Sequence, residues 1–409
     1  WERLAREYDA YRLIAEKLRR HGVYSRAGRD PPPSPTAFRP PLYPMILAAL
    51  VGGGQVSPLS VAVLHVTLGL GTVLLVFRLA DAWGLGRWSW FAASLTACDP
   101  ILLNQTAEVM TETLATFLAV VCLLLLARWQ TNGSWKQAFG VGLVLGLATL
   151  CRPTFFIWAL FGACYVCIHH ERPGRGERLG HGEYWSRLRR FGSAVALGAG
   201  CMAALMPWAV RNQVVMGKPV LATTHGGYTL LLGNNPAFYD HLCTQPWGQV
   251  WDAKELQPIL GRELSGPDFS TEEHPELVAD RLLYGSAWKT IREDPKMFGL
   301  SSLVRIGRFW RLLPHQLSDD ESLGARAARW IVALWYGAVF LVAGVGFLTE
   351  WARFRQPAWV WGLLLVASFT LVHTVYWSNL RMRAPVMPVV YLAAAAGAAS
   401  VWRRAVCRK

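Results

Sequence analysis

Seven ionisable residues stand where an apolar chain should not carry charge. Glu7 and Asp9 lie in Glu7-Tyr8-Asp9-Ala10-Tyr11, ahead of the first long apolar run. Glu112 follows Thr111 one turn into another such run, and Arg152, between Cys151 and Pro153, closes a third. Arg211 ends Pro207-Trp208-Ala209-Val210-Arg211-Asn212, and Arg381 and Arg383 open Arg381-Met382-Arg383-Ala384-Pro385. A carboxylate there can cap a helix or act as an acid at the mouth of a cavity. An arginine there needs a phosphate or carboxylate, which its planar fork grips in two places. Headgroup anchoring is the bland reading of the four arginines. A site for an anionic lipid phosphate explains them better.

The elements that would hold these residues are mostly membrane helices. The 409 residues are 53% hydrophobic and only 17% charged, where a soluble protein carries about 25% charged residues. Apolar runs at 58–80, 87–98, 107–128, 135–151, 154–169, 191–211, 326–349, 357–377 and 384–402 predict a polytopic α-helical bundle of about nine to ten spans. The net charge of +14 is concentrated in short basic loops, a topology signal that argues against nucleic acid as a partner. Arg172, Arg175, Arg178, Arg187, Arg189 and Arg190 place 170–190 in the cytoplasm. Alternation then puts 1–57, 99–106, the Arg152 turn, 212–325 and 378–383 outside, with Glu112 and Arg211 toward the outer ends of their spans. Trp1 is not an initiator Met, so a preceding helix or signal anchor is expected. Cysteines fall mainly inside apolar runs and form no metal-binding or disulfide pattern.

Four regions follow. Residues 1–57 form an outer loop: an amphipathic helix at 7–20 with Glu7 and Tyr11 on one face, a stop at Gly22, a proline run, and a re-entrant stub too short to span. Residues 58–211 form a bundle, 212–325 a small extracytoplasmic domain of roughly 110 residues that should lean on it, and 326–409 the last helices with a basic cytoplasmic tail.

Taken in order, the motifs resemble the GT-C-fold glycosyltransferases that use polyprenyl-phosphate sugars, the protein-mannosyltransferase-like and aminoarabinose-transferase-like family. The resemblance is carried by an acid four residues before Tyr11-x-x-x-Ala15-x-x-Leu18, then Arg39-Pro40-Pro41-Leu42-Tyr43-Pro44, Pro100 with Thr111-Glu112, and Gly146-Leu147-Ala148 with Arg152-Pro153. Arg211-Asn212 with Gly217, Gly226-Gly227 after His225, Gly233-Asn234 with Pro236, and Arg381-x-Arg383-x-Pro385-x-x-Pro388 complete it. It implies sugar transfer from a lipid-phosphate donor on the extracytoplasmic face of the plasma (inner) membrane, to a lipid, glycan or protein acceptor. The implied catalytic acids are Glu7, Asp9 and Glu112. Arg39, Tyr43, Arg152, Arg211, Asn212, His225, Asn234, Arg381 and Arg383 would bind substrate. A divalent cation, Mg²⁺ or Mn²⁺, held by Glu7 and Glu112 suits oxygen ligands beside phosphate. The family usually has Asp where this chain has Glu7, so Glu7 and Asp9 both stand as the base. The competing classes are a lipid or polysaccharide transporter, which would need charge near the bilayer midplane, and an inactive relative.

Overall fold

The apolar runs become helices because nothing in them interrupts the backbone ladder, and in lipid every peptide group must be bonded internally. The computed structural model describes residues 2–5, 9–26, 33–169, 182–246, 249–265, 274–315 and 321–406. Six helices among these are long and apolar enough to cross a membrane: Pro58–Ala82, Glu112–Gln130, Arg190–Met216, Leu323–Thr349, Pro357–Val375 and Leu380–Val406. Trp135–Cys151 and Thr154–Ile168 are shorter apolar helices. The protein is a multi-pass helical membrane protein. On the first long helix Leu59, Val63, Val66, Leu70 and Leu74 are 54–67% exposed along one stripe, the face a lipid tail would cover.

Two boundaries move. The expected span 87–98 is a nine-residue helix, Ser89–Ala97, about 14 Å long at 1.5 Å per residue. It breaks where Asp99 caps a second helix, Pro100–Thr106, by accepting from Leu102 N at 2.8 Å. The next helix starts at Glu112, not at 107. Glu112 is therefore the first residue of its helix, not one turn inside it.

Helices pack closely through glycine. A Cβ on Gly142 would stand 2.0 Å from Leu197 O, and one on Gly200 2.1 Å from Phe139 O. Such approach is how membrane helices gain dispersion energy without a hydrophobic driving force.

The first loop also differs from expectation. Its helix runs Tyr11–His21, because Ala10 takes φ 61°, the one non-glycine residue with positive φ among those described. That left-handed residue sets the helix start at Tyr11, later than the expected residue 7. The expected shared face of Glu7 and Tyr11 rests on Glu7, which lies outside the described residues. Gly22 closes the helix as expected, its N–H on Leu18 O at φ 66°. The stub is a helix, Leu42–Ala49, followed by a hairpin turning at Gly53-Gly54.

Residues 226–309 hold a small core of Leu230, Leu231, Phe238, Trp251, Leu256 and Leu283. It leans on the bundle through Arg305, whose Nε donates to Thr374 O at 2.8 Å. The structure gathers the first loop, the Asp99–Glu112 region, the Arg152 turn, this segment and the Arg381 turn at one end. The other end collects Trp83, Gly84, Arg353, Phe354, Trp359 and Arg403.

Candidate active site

Glu112 is 1% exposed, at the start of its helix. Arg152 reaches it because the preceding helix ends at Cys151 and Arg152 turns to extended backbone ahead of Pro153. Its Nη1 lies 3.2 Å from Glu112 Oε1. Arg381 approaches the same oxygen from the short helix Leu380–Val386 that opens the last span, with Nε at 3.6 Å. These are charge contacts without aligned hydrogen bonds: Glu112 Oε2, Arg152 Nη1 and Arg381 Nε are all buried and lack a hydrogen-bond partner. Buried polar atoms are normally satisfied. Two guanidinium groups facing one carboxylate leave a net positive, under-bonded centre, suited to an anion.

The first loop supplies a second charged pair. Arg39 donates from Nη2 to Asp9 Oδ1 at 2.5 Å and from Nε to Asp9 O at 3.0 Å. Tyr11 lies between the two centres. Burial pushes its phenol up to about 12, and Arg39, Asp9, Glu112 and Arg152 all act on it. Its ring meets Tyr43 edge-on at 5.4 Å.

Several expected substrate ligands have other work. Tyr43 is fully buried, with its hydroxyl 2.8 Å from His65 Nε2. His65 Nδ1 is 3.0 Å from Thr106 O, a carbonyl that can only accept, so Nε2 must accept from Tyr43. Arg211 spends its guanidinium on Thr36 O (2.8 Å), Tyr24 O (3.2 Å) and Asn212 Oδ1 (2.8 Å), fastening the first loop. Asn212 donates in turn to Val220 O at 2.8 Å. Asn234 bridges Leu230 O and Val375 O and accepts from Arg305. Arg383 is fully buried, on Phe309 O (3.2 Å) and Arg311 O (2.6 Å), with its guanidinium 4.2 Å above the Tyr336 ring. Four arginines therefore do not converge on one point. Arg152 and Arg381 share Glu112, whereas Arg211 and Arg383 hold backbone.

His225 borders the loop pair through Phe38, its ring 4.2 Å from Phe38 and stacked on Tyr228 at 5.0 Å. Burial, then Arg39 and Arg26, push its basicity down to about 3, so it is neutral at ordinary pH.

Two residues escaped the sequence reading. His65, alone in an apolar run, offered the signal of an intramembrane polar group. Glu276 accepts from Ala37 N at 2.9 Å, from Thr36 Oγ1 and from Thr224 Oγ1, stapling the first loop to helix Pro275–Glu293. Only its place in a helix's first turn marked it.

Of the two acids expected to hold a divalent ion, Glu112 is placed as above and Glu7 lies outside the described residues. No group of three His, Cys, Asp or Glu side chains gathers among them. The two guanidinium groups beside Glu112 would repel a doubly charged cation.

Comparison with known proteins extends these observations. Residues 38–178 match the family model described as dolichyl-phosphate-mannose-protein mannosyltransferase, the stretch holding Arg39, Glu112 and Arg152. No curated protein matches the chain in sequence. The archaeal oligosaccharyltransferase AglB from Archaeoglobus fulgidus, in complex with an inhibitory peptide and a dolichol-phosphate, is similar in structure. It shares 16% identity at a TM-score of 0.53, over 96% of this chain and 46% of that one. A second structure of the Archaeoglobus fulgidus oligosaccharyltransferase, tethered with an acceptor peptide, gives 15% and 0.48 over 96% and 45%. ArnT from Cupriavidus metallidurans bound to undecaprenyl phosphate gives 12% and 0.36 over 98% and 74%. The chain spans about half the length of the oligosaccharyltransferase it matches. It has the GT-C fold, and its residues 38–178 carry the match to the mannosyltransferase family.

Proposed function

We propose that the chain is an integral membrane glycosyltransferase that moves a sugar from a polyprenyl-phosphate donor to an acceptor at the extracytoplasmic face. The observation that carries this reading is the under-bonded Glu112–Arg152–Arg381 centre, at the same end of the bundle as the Asp9–Arg39 pair. In glycosyl transfer the acceptor nucleophile attacks the anomeric carbon as the bond to the phosphate oxygen breaks, through an oxocarbenium-like transition state. The bonding pair leaves with the lipid phosphate, and the nucleophile's proton needs a base.

In this chain Arg152 and Arg381 would receive the charge growing on the leaving phosphate. Glu112 holds both guanidinium groups in place until then. Asp9 is the base in this reading, held by Arg39 through one carboxylate oxygen and the backbone carbonyl. Tyr11 separates the two centres, where a sugar would sit. The basic loop at 170–190 favours the cytoplasm for the opposite end, and the plasma (inner) membrane is the location proposed.

The test is transfer from a radiolabelled polyprenyl-phosphate sugar in purified membranes, with product identification. Asp9→Asn should abolish transfer and leave donor binding intact, while Glu7→Gln stays active. The reverse pattern would move the base to Glu7, and full activity of both variants would end the reading of this loop as catalytic.

A further inference from the structure

A second cationic group lies where helix Pro295–Phe309 leads toward the span Leu323–Thr349. Two arginines one turn apart on this helix contrast sharply. Arg305 is satisfied: it donates to Thr374 O, Gly233 O, Asn234 Oδ1 and Ser302 Oγ. Arg308 is 9% exposed and lies over the rings of Phe238 and Trp377, 5.1 and 5.2 Å from their centroids. It has no carboxylate or carbonyl partner among the described residues. A cation so placed is costly without an anion beside it.

Arg311 and His315 stand next to it. Arg311 Nη1 and His315 Nδ1 are 2.7 Å apart. A guanidinium has no lone pair to accept with, so Nδ1 accepts and the imidazole proton sits on Nε2. His315 thus presents a further donor. Burial and the charges of Arg311, Arg308 and Arg329 push its basicity down to about 4, which keeps it in this neutral form. The nearby carboxylate, Glu321, is already taken: Arg329 binds it at 2.7 and 2.8 Å and also donates to Pro314 O at 2.9 Å. Arg308 and Arg311 are left as charge in excess among the described residues. Asp319 and Asp320 lie outside them.

The level in the membrane points to the ligand. Leu323 is 81% exposed at the start of the span, and Trp330 and Ile331 beside Arg329 are 56% and 67% exposed. Exposed apolar residues and a tryptophan at a helix end mark the headgroup zone. A guanidinium fork is matched to phosphate oxygens.

We propose that Arg308, Arg311 and His315 form a binding site for the phosphate of an anionic phospholipid headgroup, at the membrane boundary beside the span Leu323–Thr349. The proposal does not depend on the transfer reaction.

The full chain, purified into nanodiscs of mixed phosphatidylglycerol and phosphatidylcholine, tests it by the ratio of the two lipids retained on stepwise delipidation, followed by mass spectrometry. Phosphatidylglycerol should be enriched. Arg308→Gln with Arg311→Gln should weaken its retention about tenfold or more, the scale of losing charge-assisted hydrogen bonds. Arg308→Lys, which keeps charge and volume but not the fork, should lie between, and guards against a misfolded double variant. Arg262→Gln, an exposed arginine elsewhere, should change nothing. Equal retention in all variants would overturn the proposal. So would inorganic phosphate that raises thermal stability through the same arginines in pure phosphatidylcholine discs while displacing no phosphatidylglycerol in the mixed discs, since the site would then serve a free phosphate group. Enrichment that emerges only after Asp319→Asn and Asp320→Asn would mean those acids occupy the arginines, and would overturn it as well.

Discussion

Removing Arg152 separates an arginine that grips a ligand from one that holds the fold. In the free protein its Nη1 is 3.2 Å from the almost fully buried Glu112, with Arg381 at 3.6 Å on the same oxygen. Truncating one partner of a buried pair commonly costs about 3–5 kcal/mol of stability. Here Glu112 keeps its second guanidinium, so the stability loss should fall below that range. If the leaving phosphate is the true partner, the larger loss is in transition-state stabilisation, about 2–4 kcal/mol as for an oxyanion donor. That corresponds to roughly 30- to 1,000-fold in rate. Arg152→Lys should lose much of this as well, since an ammonium cannot present two parallel donors. Arg211→Lys and Arg383→Lys should behave oppositely, with lower thermal stability in detergent and normal transfer in the folded fraction. Their donors end on Thr36 O, Tyr24 O, Phe309 O and Arg311 O. Transfer from a radiolabelled lipid-phosphate sugar, normalised to folded protein, reads both effects. A folded Arg152→Ala variant with full activity would refute the reasoning, and Arg211→Lys failing in rate at normal stability would refute the assignment of roles.

Three further outcomes can be checked separately. In a cysteine-free background, cysteines at Ser34 and Ser265 should react with an impermeant thiol reagent in intact cells and one at Ser134 should not; labelling only at Ser134 would invert the topology. Asp280, which accepts from Gly227 N at 2.7 Å, is pushed up to about 6 by burial, above its unfolded value. The folded state therefore binds the extra proton, and thermal stability should rise as pH falls from above 6 towards 4. Asp280→Asn keeps the acceptor for Gly227 and should flatten that rise; an unchanged pH profile would show that Asp280 is not its source. Gly142→Ala puts a methyl 2.0 Å from Leu197 O, and should destabilise by about 1–3 kcal/mol, as overpacking does, seen as a lower melting temperature in detergent.

The helices were legible in the sequence because insertion into lipid depends on local composition. Runs of apolar residues could be marked within a few positions without knowledge of their neighbours. Boundaries failed where a side chain decided the backbone. Asp99 caps a helix, Pro100–Thr106, where an outer turn was expected, and the left-handed turn at Ala10 shortened the first-loop helix. Neither residue type announces such a conformation by itself.

The site was legible in residue type and less so in partnership. An arginine at a helix end on the outer side needs an acceptor, and sequence can state that need without saying what meets it. Carbonyls met it for Arg211 and for Nη1 of Arg383, whose Nε and Nη2 stay unbonded, because the first loop and the Phe309–Arg311 turn fold against them. For Arg152 and Arg381 it is met by a single carboxylate whose second oxygen is left unbonded. This difference follows from the order of the chain: Glu112 begins its helix beside the Arg152 turn, and the Arg381 turn closes over both. Two cations sharing one anion retain an unfilled attraction for another. That residual charge, together with the loop acid Asp9 at the same end of the bundle, makes the centre a better candidate for phosphate chemistry than for helix capping, which would need no arginine at all.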